Sequence, residues 1–100
     1  MDYIVNPHDG GTSVQMSGQF TFADTHNFKT IIDLVTNNQV KAFSLDFANL
    51  TFIDSAGMGI LLLLRDECLV HKIPLSIHST QGQVKKIFHI SKFDQLFSIY

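Results

Sequence analysis

One serine of this 100-residue chain stands where a hydroxyl could react or hold an anion: Ser55, within Phe52-Ile53-Asp54-Ser55-Ala56-Gly57-Met58-Gly59. The segment reads as the end of a buried strand, a short turn and the start of a helix. A helix start presents unpaired backbone N–H groups and a partial positive charge. A hydroxyl there either caps the helix or sits exposed at a site that welcomes an anion. The anion is then a bound phosphate, or a phosphate carried by Ser55 itself. Capping is the plainer role, since serine is among the preferred caps and contributes roughly 1 kcal/mol. Gly57 and Gly59 argue for more, because a glycine inside a helix costs about 1 kcal/mol relative to alanine. Two of them in a first turn imply a tight turn or a close approach of something to the backbone.

Other chemistry is poorly supported. The nucleophile elbow of a hydrolase is Gly-x-Ser-x-Gly. Here Ile53 takes the first glycine position, and Asp54 beside the serine would disfavour a developing alkoxide. No histidine is placed by sequence to serve as its base. No Gly-Lys-Ser or Gly-Lys-Thr marks a P-loop. The five histidines (His8, His26, His71, His78 and His89) show no His-x-x-x-His spacing, and there is no Cys-x-x-Cys, so no metal site is expected. Cys68 reads as a small core filler. No cofactor is expected.

The elements that must position Ser55 follow from periodicity. Residues 3–6 read as a short strand, 7–11 as turn chemistry longer than two residues, and 12–17 as a half-buried strand of alternating pattern. Asp24 or Thr25 is a plausible N-cap for a helix over 25–37, with Phe28, Ile31, Ile32 and Val35 on one face and Asn37-Asn38 as its stop. Residues 40–47 form a central strand, continued by 50–53. The Ser55 helix runs to about residue 71 and stops before Pro74. Met58, Leu61, Leu62 and Leu69 can face the sheet; Ile60, Leu63 and Leu64 then fall on other faces, either against neighbouring helices or as a hydrophobic docking surface beside Ser55. A strand over 75–78, a loop over 79–82, a helix over 83–90 and a short strand over 97–100 complete the order β-β-α-β-α-β-α-β. Alternating strands and helices imply crossovers and a mostly parallel sheet, with an antiparallel edge from the opening hairpin. Three loops, 20–24, 54–59 and 79–82, should share the rim at the C-terminal strand ends, where ligands and partners bind such sheets.

Composition narrows the setting. One hundred residues make one domain, and 45% hydrophobic with 16% charged residues describes a globular chain able to bury a core. A net charge of −2, with Lys85-Lys86 the only adjacent basic pair, gives no reason to expect nucleic acid. A single cysteine favours a reducing compartment. The first residues lack a signal peptide's basic and apolar regions, and the longest apolar run, 60–64, is far short of a membrane span. The cytoplasm is the expected location.

The segment from Phe52 to Gly59 closely resembles the signature of the STAS domain family, of the anti-sigma factor antagonist type. That pattern is an apolar residue, Asp, Ser, Ser/Thr/Ala, Gly, Leu/Met, Gly at the start of the second helix. The resemblance covers almost the whole chain. The element order matches, Gly18-Gln19-Phe20 is similar to the family's Gly-Glu-Leu segment, and the stretches 84–88 and 93–97 are similar to its C-terminal helix and following turn. The resemblance implies a partner switch without catalysis of its own. The unphosphorylated antagonist binds an anti-sigma factor or histidine-kinase-like serine kinase, that kinase phosphorylates the serine matching Ser55, and a PP2C-type phosphatase reverses it. Asp54, Ala56, Gly57, Met58 and Gly59 would shape the docking surface, flanked by Thr21, Phe22 and Asp24.

The chain departs from the family pattern where Gln19 and Thr21 replace the usual acids, which puts partner identity in question. The sequence up to Tyr100 also reads as without the final helix that many relatives carry. The stretches 61–67 and 92–97 most resemble antagonists of Gram-negative modules linked to biofilm and motility. A second reading from the same resemblance is a constitutive STAS subunit of a lipid- or solute-transport complex, never phosphorylated. A third, a small serine hydrolase, would require labelling of Ser55 by a fluorophosphonate.

Overall fold

The computed structural model describes residues 1–37 and 40–100. Strands β1 (Asp2–His8), β2 (Gly11–Phe20), β3 (Phe43–Ile53), β4 (Leu75–His78) and β5 (Ser98–Ile99) form one sheet in chain order, β1-β2-β3-β4-β5. β1 is antiparallel to β2, and the other neighbours are parallel. Helices α1 (Thr25–Thr36), α2 (Ser55–Val70) and α3 (Gly82–Ile90) are the crossovers. Right-handed crossovers between strands laid down in sequence put every helix on the same face. The burial pattern agrees: Val14, Met16, Phe20, Phe43, Leu45, Phe47, Leu50, Ile53 and Ile77 are buried on one face, against Phe28, Leu61, Leu64 and Phe88 of the helices. Phe20 stacks on Phe28 with ring centroids 4.9 Å apart, and Phe47 meets Phe88 edge-on at 6.3 Å. Each such ring contributes about 1.5–3 kcal/mol by leaving water.

The opposite face carries no helix among the described residues and is mostly polar. Pairing aligns Asn6 with Ser13, Ser13 with Ser44, Ser44 with Ser76 and Ser76 with Ser98, a row of small polar side chains across all five strands. This explains why Ser44 and Asp46 interrupt an otherwise apolar run: they point to solvent between core residues Phe43, Leu45 and Phe47.

Several elements differ in extent from their sequence patterns. The opening hairpin has a two-residue turn, Asp9-Gly10, because pairing continues to His8 and Gly11. Gly11 has φ +146°, and a Cβ there would lie 2.5 Å from the Ala42 carbonyl oxygen, so only glycine fits. Val40 is buried but precedes β3, which starts at Phe43 and runs unbroken to Ile53, with two shifts in its register against β2. These shifts keep Leu50 and Ile53 on the core face. α1 ends at Thr36 with Asn37 at its C-cap; Asn38 lies outside the described residues. Gly82 already belongs to α3, and β5 is only two residues long.

On α2 the buried set is Gly57, Ile60, Leu61, Leu64 and Cys68. Ile60 and Leu64 therefore face the core, contrary to the sequence assignment, while Leu69 is exposed. The two glycines caused the misplacement, since counting only bulky residues moves the apparent centre of the face. No helix among the described residues is long and apolar enough to cross a membrane.

Candidate functional site

The rim at the C-terminal ends of β2 and β3 is built around two aspartates. Asp54 leaves β3 in extended backbone (φ −101°, ψ −179°) and occupies the N-cap of α2. One of its carboxylate oxygens accepts the Gly57 N–H at 2.8 Å; the other accepts the Phe22 N–H at 3.1 Å. The same side chain thus starts α2 and ties the loop after β2 to it. Its own N–H donates to the Phe20 carbonyl at 3.2 Å.

Asp24 organises the second loop. Residues Phe22–Asp24 form one 3-10 turn, for which Thr21 is the N-cap. The Thr21 hydroxyl accepts the Ala23 N–H at 3.3 Å, and the Asp24 carboxylate accepts the Thr21 N–H at 2.9 Å, a reciprocal capping box. The Met1 amino group donates to the other Asp24 oxygen at 2.7 Å. Burial by itself would raise the Asp24 pKa, but bonds from the Met1 amino group and Thr21, with the nearby positive charge, hold the carboxyl below its ordinary value. Asp24 sits at the N-cap position of α1, yet its side chain makes no capping bond to that helix; it is committed to Thr21 and Met1.

Because Asp54 caps α2, Ser55 does not. Ser55 is the first helical residue, is exposed, and its hydroxyl has no hydrogen-bond partner among the described residues. Gly57 is buried, and a Cβ there would lie 2.7 Å from the Phe20 carbonyl oxygen and 2.9 Å from Ile53 Cγ1. The close approach anticipated from this glycine is therefore internal, α2 against the end of β2. Gly59 is different: it is exposed, and a Cβ there would meet nothing within 4 Å. Ala56 and Met58 are half-buried, and Phe22 is 76% exposed. Ser55, Gly59, Leu63, Asp66 and Val70 lie along the outer side of α2, opposite its buried face, while half-buried Leu62 packs against the core. Leu63 and Val70 are 58% and 73% exposed there.

Sequence reasoning missed two glutamines. β3 pairs with β4 only from Phe43 to Asp46, so its last residues run on without a strand on that side. The Gln83 side chain takes the place of that strand. Its carbonyl accepts the Ile53 N–H at 3.0 Å, and its amide donates to the Ile53 carbonyl at 3.1 Å. Gln81 donates to the Ala48 carbonyl further back. The third loop thus reaches the rim through the first turn of α3. The signal was the mismatch between an 11-residue β3 and a 4-residue β4.

Elsewhere the chemistry is subdued. Among the described residues no three His, Cys, Asp or Glu side chains cluster as metal ligands. Burial, with the Glu67 charge beside it, pushes the Cys68 thiol up to about 11, which suits a packed and unreactive thiol. A cavity of about 450 Å³ lies on the open sheet face beside His8, Ser44, Ser76, His78 and Tyr100, and its lining includes no residue of the rim.

The family model for the STAS domain matches residues 3–100. A STAS-domain-containing protein of Pseudomonas aeruginosa is 33% identical over 87 residues, covering 87% of this chain and 85% of that one. Among solved structures, an anti-sigma factor antagonist from Mycobacterium paratuberculosis has a TM-score of 0.82 at 20% identity, covering 99% of this chain and 84% of that one. The Bacillus anti-sigma factor antagonist SpoIIAA has a TM-score of 0.77 in its unphosphorylated form, at 14% identity, with 99% and 87% covered. A sulfate transporter family protein from Wolinella succinogenes reaches 0.71 at 20% identity, with 83% and 67% covered. The chain belongs to the STAS domain family, and its fold is that of the anti-sigma factor antagonists.

Proposed function

We propose that this protein is an anti-sigma factor antagonist in a partner-switching module, with Ser55 as its phosphoacceptor. The observation that carries the reading is the division of labour at the start of α2. Asp54 takes the cap, leaving the Ser55 hydroxyl exposed and unbonded at a helix N-terminus. In this reading the unphosphorylated form binds an anti-sigma factor or histidine-kinase-like serine kinase, and a PP2C-type phosphatase restores that form. The protein itself catalyses nothing and works in the cytoplasm. Ser55, Ala56, Met58, Gly59 and Phe22 contribute the docking surface; Asp54, Gly57, Thr21 and Asp24 hold it in shape.

Phosphorylation would add about −1.5 to −2 charges and three acceptor oxygens. The helix N-terminus favours an anion by about 0.3–1 kcal/mol, so the fold survives. The interface does not, because the dianion sits beside Asp54 at the edge of an apolar surface and must be desolvated for docking. Gly59 supports the same surface: nothing within the chain explains it, whereas a partner backbone pressed onto the outer side of α2 would.

The test begins with the intact mass of the protein from its native cells, with fragmentation to place any phosphate. One phosphate on Ser55, in a fraction that varies with growth condition, is the expected result. Ser55→Asp should then abolish capture of the partner while Ser55→Ala retains it. Absence of phosphate under every condition, with equal partner capture by both variants, would instead favour a constitutive subunit of a transport complex. The likeness to a sulfate transporter family protein supports that second reading.

A further inference from the structure

We infer that the free edge of β1 is a self-association surface, pairing antiparallel with β1 of a second copy about a two-fold axis at Ile4. The two edges of the sheet differ sharply. β5 is two residues long, too short to template anything. β1 is seven residues long, pairs with β2 without a register shift, and among the described residues has no other strand beside it. Proteins blunt such edges with charged side chains (lysine above all), prolines, bulges or covering segments; of these β1 has only Asp2 and Pro7, near its two ends. β1 has no lysine or arginine and no bulge, and it exposes Ile4 (60%) and Val5 (37%).

The hydrogen-bonding phase of the edge fixes how a second copy would sit. In a two-residue hairpin the flanking pair, His8 and Gly11, exchanges both bonds, and bonding alternates from there. Asp2, Ile4, Asn6 and His8 therefore bond to β2, and Tyr3, Val5 and Pro7 turn their backbone groups outward. Thr12, paired with Pro7, donates its N–H to the Ala42 carbonyl on the β3 side at 2.8 Å, which confirms the phase. Pro7 offers no outward N–H, so it ends the usable edge and selects the register. Setting Tyr3 against Val5 of the second copy gives two reciprocal pairs that keep both prolines out of the paired segment. Sliding two residues towards His8 instead places Tyr3 against Pro7, where its carbonyl finds no donor.

In the selected register Ile4 faces Ile4 of the second copy in a close, non-hydrogen-bonded pair on the open face. Asp2 faces Asn6 rather than another aspartate. The exposed isoleucine is covered and no like charges meet. The contact is small against the roughly 1,200–2,000 Å² of a stable interface, so the dimer is weak and concentration-dependent. A two-fold contact is self-limiting, since it uses up the edge.

Sedimentation equilibrium on the full chain from about 10 μM to about 1 mM tests this. The expected result is a weight-average mass that climbs above the 11.2 kDa monomer towards twice that value. Ile4→Lys, which sets two ammonium groups face to face, and Val5→Pro, which removes an outward N–H as Pro7 already does, should each weaken association at least about tenfold. Ile4→Cys should cross-link across the axis under mild oxidation, and Ser98→Cys on the other edge should not; buried Cys68 stays out of the exchange. A mass fixed at 11.2 kDa throughout, or Ile4→Lys and Val5→Pro associating as wild type does, would overturn the inference. Neither variant touches Ser55 or its rim, so this result and that of the phosphoserine experiment are read independently.

Discussion

Asp54 and Ser55 are adjacent, of similar size and equally good helix caps by type, and the backbone alone decides which of them caps. Asp54 is the last extended residue, so its carboxylate faces the orphan N–H of Gly57; Ser55 is already helical and projects outward. Side-chain preference could place a cap in this pair but could not choose the member, and choosing Asp54 is what frees the serine. The two glycines that follow separate in the same way. Gly57 is packed against Phe20 and Ile53, and Gly59 is open. Gly57→Ala should therefore destabilise the fold by roughly 2 kcal/mol or more, since backbone must move to admit the methyl group. Gly59→Ala should stabilise the free protein by up to about 1 kcal/mol through helix propensity, and should weaken partner capture. Urea unfolding of both variants, beside a pull-down of the partner, checks the pair. Gly59→Ala that captured its partner as well as wild type would remove the glycine's proposed role.

Elements that depend on local periodicity were legible: α1 to within a residue, the start of α2, β4, and the buried face of α1. The sequence also supplied the order of elements along the chain and the rim shared by the loops after β2 and β3. It misjudged the hairpin because Pro7 and His8 look like turn residues. Pro7 is accommodated in β1 because its missing N–H would have pointed out of the sheet. The amide clamp of Gln83 was missed for a different reason, because it is set by where β4 stops relative to β3. Gln83→Ala leaves the Ile53 N–H and carbonyl without their partner at a half-buried site, which should cost about 1–3 kcal/mol. Gln83→Glu keeps an acceptor for the Ile53 N–H but sets a carboxylate oxygen against the Ile53 carbonyl, so it should not restore the clamp. Amide exchange at Ile53 and Asp54, faster in Gln83→Ala while exchange in α1 is unchanged, would show that the clamp holds the strand end locally.

At the scale of the whole molecule the sheet is one-sided, and neighbours along a strand have opposite weights. Leu45→Ala opens a cavity in the core and should cost about 2–5 kcal/mol. Ser44→Val, one residue away on the polar face, should change stability by no more than about 0.5 kcal/mol. Chemical denaturation of the two variants measures the contrast. Comparable losses would mean that the polar face is covered by something. The exposed apolar side chains include Leu63 and Val70 on the outer side of α2 and Ile4 and Val5 on the free edge of β1.

The strand order carries a temporal consequence. Each strand is laid beside the one made just before it, so the sheet can assemble from its β1 edge as the chain leaves the ribosome, without waiting for distant segments. The end of β3 is the exception, because its last backbone groups are satisfied by a side chain 30 residues downstream. A nascent chain that has released Ser55 but not Gln83 carries the whole serine motif on an unsecured strand end. The serine motif therefore sits on a secured strand end only when nearly all of the chain has been synthesised.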